Sequence, residues 1–359
     1  MLPGFYFLLI TIVSLLLVLI IMPSVLHIAK QNNLFDDHSL SRKEHGYGIP
    51  RLGGIAFFLS FILTSLFIIK NGTDLPMYNF YAASIILFGV GIKDDLSGVH
   101  IHTKLIVQAV AAFIIAVPGD IRITNLQGIF GIYQLNFVSS ALVSILLMMF
   151  VINSFNLIDG IDGLAGTLAV IACCTFGCYF LLTGELVLTA LALSLAGSLI
   201  AFLAYNYSPS KIFMGDGGSL FLGLACAVFA IKFISINEAS AVVKLQDASA
   251  FAVAVLIIPV FDTFSVIVTR ISNKKSPFKP DRNHIHHRML RLGLSHFQTT
   301  SILAVVNLLF IGLAFVFRQA ETPFLLMIFI AMLLMMNSLV NQLLNSKAKS
   351  AYPVSSLIS

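Results

Sequence analysis

A chain of 359 residues that is 58% apolar and only 10% charged is not an ordinary soluble protein, whose domains average about 25% charged residues. Its formal net charge of +5 comes with no nucleic-acid motif, so the basic excess does not imply a nucleic-acid partner. The four cysteines, Cys173, Cys174, Cys178 and Cys226, all sit in apolar runs with no C-x-x-C pair, which argues against a disulfide frame and a thiolate metal site.

The first apolar run, from Phe5 to Ala29, has no preceding positive charge and no small-residue cleavage pattern, and reads as an uncleaved spanning helix. Lys30, Arg42, Lys43 and Arg51 follow it, which places the N-terminus outside and the next loop in the cytoplasm. About eleven spans follow from hydropathy and length, near residues 4–26, 54–70, 80–93, 104–117, 138–155, 164–183, 188–205, 219–235, 249–270, 299–318 and 323–343. Of the 21 lysines and arginines, only Lys70, Arg122, Lys232, Lys244 and Arg318 fall away from the inside. The pattern obeys the positive-inside rule. The expected architecture is an all-α integral membrane protein, with residues 1–343 as one polytopic domain and 344–359 as a short cytoplasmic tail. An outside loop at 118–137, with β-prone pieces around Gly128 and Gly131, reads as a small hairpin.

Five inside loops carry the polar clusters: "SRKEHGYGIPRLGG" (41–54), "KDDLSG" (93–98), "NSFNLIDGIDGLAG" (153–166), "FMGDGGS" (213–219) and "PDRNHIHHRMLRLG" (280–293). A one-sided cluster suggests an active site at the cytoplasmic membrane surface. A transporter is expected to hold its polar residues near the bilayer midplane, often in repeated halves. Asn153, Asn156, Asp159 and Asp162 step by three residues and drift around a straight helix by about 180° over the set. Glycines at 160 and 163 allow the helix to end at 158, so that a loop over 159–163 brings the four toward one point. Asp94 and Asp95 are adjacent acids that repel unless a cation or shared proton compensates. Asp216 lies among glycines at a helix start, where backbone amides could meet a phosphate. Hard carboxylates without thiolates favour Mg²⁺, with Mn²⁺ as the alternative, and Mg²⁺ sites of this kind use substrate phosphates as further ligands. Arg282, His284, His286, His287, Arg288 and Arg291 crowd the last loop as a candidate anion or sugar-phosphate site. Asp262 stands near the inside end of its apolar run, with Arg270 or a loop as alternative partners.

"KDDLSG", "NSFNLIDGIDGLAG", "FMGDGGS" and "PFKPDRNHIHHRM", in this order between apolar spans, resemble the polyprenyl-phosphate N-acetylhexosamine-1-phosphate transferases over roughly residues 5–340. The histidine loop resembles the branch that uses UDP-N-acetylglucosamine and undecaprenyl phosphate. The phospho-MurNAc-pentapeptide translocases usually carry three consecutive histidines there, where this chain has "HIHH". The resemblance implies a multi-pass enzyme of the bacterial inner membrane that transfers GlcNAc-1-phosphate from a UDP-sugar to undecaprenyl phosphate, releasing UMP, with a homodimer as one form of assembly. It further implies Asp216 as the metal ligand and Asp94 and Asp95 at the lipid phosphate. Asn153, Asn156, Asp159 and Asp162 would hold the nucleotide and its phosphates, with the aspartates counted as catalytic. Phe213 would stack the uracil, Lys43 and His45 would add basic contacts, and Arg282, His284, His286, His287 and Arg288 would hold the sugar-phosphate.

Overall fold

A computed structural model describes residues 3–32, 34, 48–67, 77–240, 244–275 and 283–351. Lys43, His45 and Arg282 lie outside the described residues. Thirteen α-helices are present among them: α1 (Pro3–Gln31), α2 (Gly53–Leu66), α3 (Met77–Ser97), α4 (Ile101–Ala116), α5 (Phe137–Ile158), α6 (Leu164–Leu182), α7 (Leu186–Asn206), α8 (Gly215–Ala239), α9 (Ala248–Val255), α10 (Ile257–Ser272), α11 (Ile285–Arg291), α12 (His296–Val316) and α13 (Thr322–Ala351).

Each predicted span overlaps a helix or, at 249–270, a pair of helices, yet among the described residues only seven helices are long and apolar enough to cross a bilayer unaided: α1, α5, α6, α7, α8, α12 and α13. At 14 and 16 residues, α2 and α4 fall short of the roughly 20 that a bilayer core requires. The chain is an all-helical, multi-pass membrane protein. The expected continuous span at 249–270 is instead broken at Leu256, where α9 and α10 meet at 82° and make an eighth span if taken together. Pro259 explains the break. It has no N–H to donate back into α9, and it is tolerated in the first turn of a new helix. The tail expected from residue 344 is a continuation of α13 as far as Ala351. There Lys347 donates to the carbonyls of Leu292 (2.8 Å) and Arg291 (3.2 Å), which ties α13 to the end of α11.

The 118–137 loop forms the small hairpin. Leu126 N–H donates to Tyr133 O and Leu135 N–H to Thr124 O, both at 2.8 Å, around a single antiparallel bridge between Asn125 and Gln134.

The α8 helix is the central post, with α2, α3 and α5 drawn in over glycine. A Cβ on Gly91 would overlap the backbone of Gly217, so α3 and α8 touch main chain to main chain. A Cβ on Gly54 would stand 2.6 Å from Gly218 N, and one on Gly223 would stand 2.5 Å from Ile152 Cα. Small residues permit this close approach in membranes, where apolar burial does not by itself drive one helix onto another. The result locates chemistry: α2, α3 and α5 are all referenced to the first turns of α8, where Asp216 stands.

Candidate active site

The C-terminal ends of α3 and α5 and the N-terminal ends of α4 and α8 converge at one end of the bundle. At their meeting point stands a residue that the sequence reading counted only toward topology, Lys104. Its ammonium donates to Asp94 Oδ2 (3.1 Å), to Asn156 Oδ1 (3.3 Å) and, in a short contact, to Asp216 Oδ2. Asn156 Nδ2 donates in turn to Asp216 Oδ1 and to Ser219 Oγ, both at 2.9 Å. The node therefore gathers α3, α4, α5 and α8 around one cation.

The adjacent acids are compensated separately. Asp94 takes Lys104 on one oxygen and the Val99 N–H (2.6 Å) on the other. Asp95 turns the opposite way and accepts the N–H groups of Asp216 (2.8 Å) and Gly217 (3.1 Å). These are the first amides of α8, so a carboxylate meets the positive end of the helix dipole. The expectation that a phosphate would meet these amides is thus corrected, because Asp95 occupies them.

Glycines at 160 and 163 do end the helix. Asp159 is the cap of α5 and Gly163, at φ 77°, is the cap of α6. The four polar residues of the motif nevertheless do not converge on one point. Asn156 reaches Asp216. Asp159 lies in the field of Asp216 and Asp95, and burial together with these two charges holds its carboxyl well above the ordinary carboxylate range, with Arg51 opposing. Asn153 faces α4, where it exchanges amide hydrogen bonds of 2.6 and 3.2 Å with the buried Gln108. Asp162 turns away from the node. It is buried, accepts Ser210 Oγ (3.2 Å), and lies 3.2 Å from His296 Nδ1, while Thr300 Oγ1 donates to its carbonyl. Asp162 therefore pins the α5–α6 loop to the α7–α8 loop and to α12.

Phe213 is fixed through its backbone between Pro50 and Gly53, with N–H···O bonds of 2.8 and 2.9 Å, and its side chain is half-buried. In the histidine loop, Asp262 finds its partner in the loop. It accepts the Ile285 N–H (2.7 Å) and pairs with His284 Nδ1 (3.0 Å), with His286 Nδ1 at 3.5 Å. His286 is fully buried, and burial pushes its pKa below the ordinary histidine value despite Asp262. Its ring lies on Gly160, where a Cβ would stand 2.5 Å from Nε2, so it bridges the histidine loop to the aspartate loop. The His287 ring is 4.2 Å from that of His286. Arg288 departs from the group and donates to Asn341 of α13 at 2.9 Å.

Lys104, Gln108 and His296 are the polar residues that the motif reading missed. Lys104 and Gln108 lie four apart in α4, a spacing that puts both on one face.

The site is thus a cation held by two carboxylates and an amide oxygen at one end of a membrane bundle, with the Asp159 carboxyl nearby. The family described as glycosyl transferase family 4 matches residues 77–234. The chain is 32% identical over 342 residues, 92% of each chain, to the "Probable undecaprenyl-phosphate N-acetylglucosaminyl 1-phosphate transferase" of Bacillus subtilis. The chain belongs to glycosyl transferase family 4. Its relatives in the undecaprenyl-phosphate GlcNAc-1-phosphate transferase branch include the Thermotoga maritima "Undecaprenyl-phosphate alpha-N-acetylglucosaminyl 1-phosphate transferase", 30% identical over 80% of this chain and 83% of its own. The Mycobacterium tuberculosis (strain H37Rv) "Decaprenyl-phosphate N-acetylglucosaminephosphotransferase" is 32% identical over 71% and 69% respectively. The family match contains the whole Lys104 node and Asp159, and ends before the histidine loop.

Proposed function

We propose that this protein transfers GlcNAc-1-phosphate from UDP-GlcNAc to undecaprenyl phosphate at the cytoplasmic face of the inner membrane, releasing UMP. The observation that carries the reading is the convergence of Asp94, Asp216 and Asn156 on one cation, Lys104, at one end of the bundle. A lipid phosphate oxygen attacks the sugar-bearing phosphorus, the bond to the UMP oxygen breaks, and a polyprenyl-diphosphate-sugar stays in the membrane. One diphosphate bond replaces another, so the step is near thermoneutral. Catalysis then rests on alignment and on charge neutralisation.

Lys104 is proposed to bind phosphate oxygens, with Asn156 orienting both Lys104 and Asp216. Among the described residues, no three His, Cys, Asp or Glu side chains gather as a metal site. That fits Mg²⁺ rather than excluding it, because Mg²⁺ is usually held by one or two carboxylates with substrate phosphates completing the shell. Asp216 and Asp94 already share a cation, the Lys104 ammonium, which shows that the two carboxylates stand close enough to bind one positive centre together. Asp216, with Asp94, would hold the ion. Once bound it would neutralise charge on the transferring diphosphate. Asp95 and Asp162 serve as positioning residues, one seating α8 and the other the α5–α6 loop. His284 positions the histidine loop through Asp262, and His286 and His287 present it to the aspartate loop.

The deciding assay supplies detergent-purified protein with undecaprenyl phosphate, Mg²⁺ and a panel of UDP-sugars, and identifies the lipid product by mass. UDP-GlcNAc should be converted and UDP-MurNAc-pentapeptide refused, with discrimination as large as about 10⁴-fold where buried polar groups are left unpaired. Efficient use of the pentapeptide substrate would overturn the branch but not the transfer chemistry. No lipid product from any UDP-sugar would overturn the transferase reading itself.

Topology has its own test. In a cysteine-free background, Lys274→Cys should react with an impermeant thiol reagent only in inside-out vesicles. Tyr133→Cys in the outside hairpin should react only in right-side-out cells. Reversed labelling would put the Lys104 node on the wrong side for a cytoplasmic nucleotide-sugar.

A further inference from the structure

The short helix α11 has two sides. His286 lies on Gly160 and faces the aspartate loop. Two residues later a helix has turned by about 200°, and Arg288 points away from that loop, donating Nη1 to Asn341 Oδ1 of α13 at 2.9 Å. Arg288 is 8% exposed, and its Nε is buried with no hydrogen-bond partner. It lines an open-sided cavity of about 530 Å³ between α10, α11 and α13, together with Arg291, Thr269 and the asparagines Asn337, Asn341 and Asn345. The asparagines recur every four residues, the spacing that stacks side chains along one helix face. Asn337 Oδ1 is also buried and unpartnered. None of the described residues lining the cavity is acidic. Asp262, whose charge reaches Arg288, is already engaged by His284 and the Ile285 N–H.

We propose that this cavity seats the headgroup of an anionic membrane phospholipid, with its phosphate on Arg288 and Arg291 and its hydroxyls on the asparagine amides. Arginine forks match phosphate oxygens, and asparagine offers both donor and acceptor to a hydroxyl. Basic pockets between membrane helices are established seats for such headgroups. The flanks supply the rest of a lipid site. Phe264, Val268 and Ile271 on α10 and Leu334, Met335 and Leu339 on α13 are all exposed apolar residues where acyl chains can lie. The reacting lipid and the nucleotide-sugar must reach Asp216, whereas this cavity opens on the opposite side of α11 from the aspartate loop. The proposal does not depend on the transferase reading.

Full-length protein, stripped of lipid in detergent, is titrated with phosphatidylglycerol and with phosphatidylcholine and followed by native mass spectrometry and by thermal shift. Phosphatidylglycerol should bind and raise Tm while phosphatidylcholine does not. Losing one charged contact is worth about tenfold in affinity, so Arg288→Gln should weaken phosphatidylglycerol binding by that factor. The pair Arg291→Gln and Asn345→Ala, both at exposed positions, should do the same without threatening the fold. Asp216→Asn should bind phosphatidylglycerol as the parent does. Equal binding of both lipids, or binding unchanged in the Arg288 and Arg291 variants, would overturn the proposal. So would displacement by sn-glycerol 3-phosphate alone, which would make the ligand a soluble phosphate. Loss of binding in Asp216→Asn would overturn it by returning the cavity to the reaction site.

Discussion

Asp216→Asn is expected to lower the rate of lipid-product formation by roughly 10²–10³-fold, the usual consequence of removing one preorganised electrostatic contact from a reaction centre. The substitution preserves side-chain volume and still allows an acceptor for the Lys104 ammonium. It removes the charge that Lys104, Asn156 and the proposed Mg²⁺ share. Insertion and Tm should stay near those of the parent, because Asp95 and the first amides of α8 keep their bonds. Chelation by EDTA should abolish turnover of the parent, and Mg²⁺ or Mn²⁺ should restore it. Lys104→Met should fall by a similar factor, since it leaves Asp94 and Asp216 facing one another without a cation. Initial rates with labelled UDP-GlcNAc check all three. An Asp216→Asn rate close to that of the parent would remove this carboxylate from the reaction.

Gly91→Ala is expected to disable the enzyme from a position that touches no substrate. The new methyl would fall within 2.6 Å of the Asp216 carbonyl carbon and closer still to Gly217. Both are main-chain atoms and cannot swing aside, so α3 must move off α8. Overpacking of this kind costs about 1–3 kcal/mol. It also pulls Asp95 off its two amides and displaces Asp94 from Lys104, so activity should fall further than stability alone predicts. Gly89→Ala is the control. Two residues away on the same helix, it has nothing within 4 Å of its Cβ and should behave as the parent. Thermal unfolding in detergent and the lipid-product assay separate the two effects. Equal Tm and equal rates for the two variants would show that α3 and α8 do not depend on this contact.

Much of this protein is legible without coordinates. Apolar runs and the lysines and arginines that border them are local properties of the chain, so helix positions follow from counting, whereas which helices cross the bilayer does not. The end of α5 at Ile158 and the loop through Gly163 were equally readable, because glycine interrupts a helix wherever it stands. The hairpin around Gly128 and Gly131 belongs to the same class. The motifs also announced phosphate chemistry, since acids at helix ends beside a membrane are costly to keep without a ligand or partner.

What only the tertiary structure decided is which charge meets which. Asp94 and Asp95 are neighbours in the chain, yet one takes Lys104 and the other takes the amides of α8, because adjacent side chains at a helix end point in different directions. The even spacing of Asn153, Asn156, Asp159 and Asp162 suggested a single point of convergence. The backbone turns between them, and their partners Gln108, Asp216 and His296 come from three different helices. Lys104 could not be told from a topological lysine, because its three acceptors lie 10, 52 and 112 residues away. Hydropathy is additive along a chain and can be read from it. Pairing in a low-dielectric site depends on which helix ends the packing brings together, and here glycine contacts around α8 settle that.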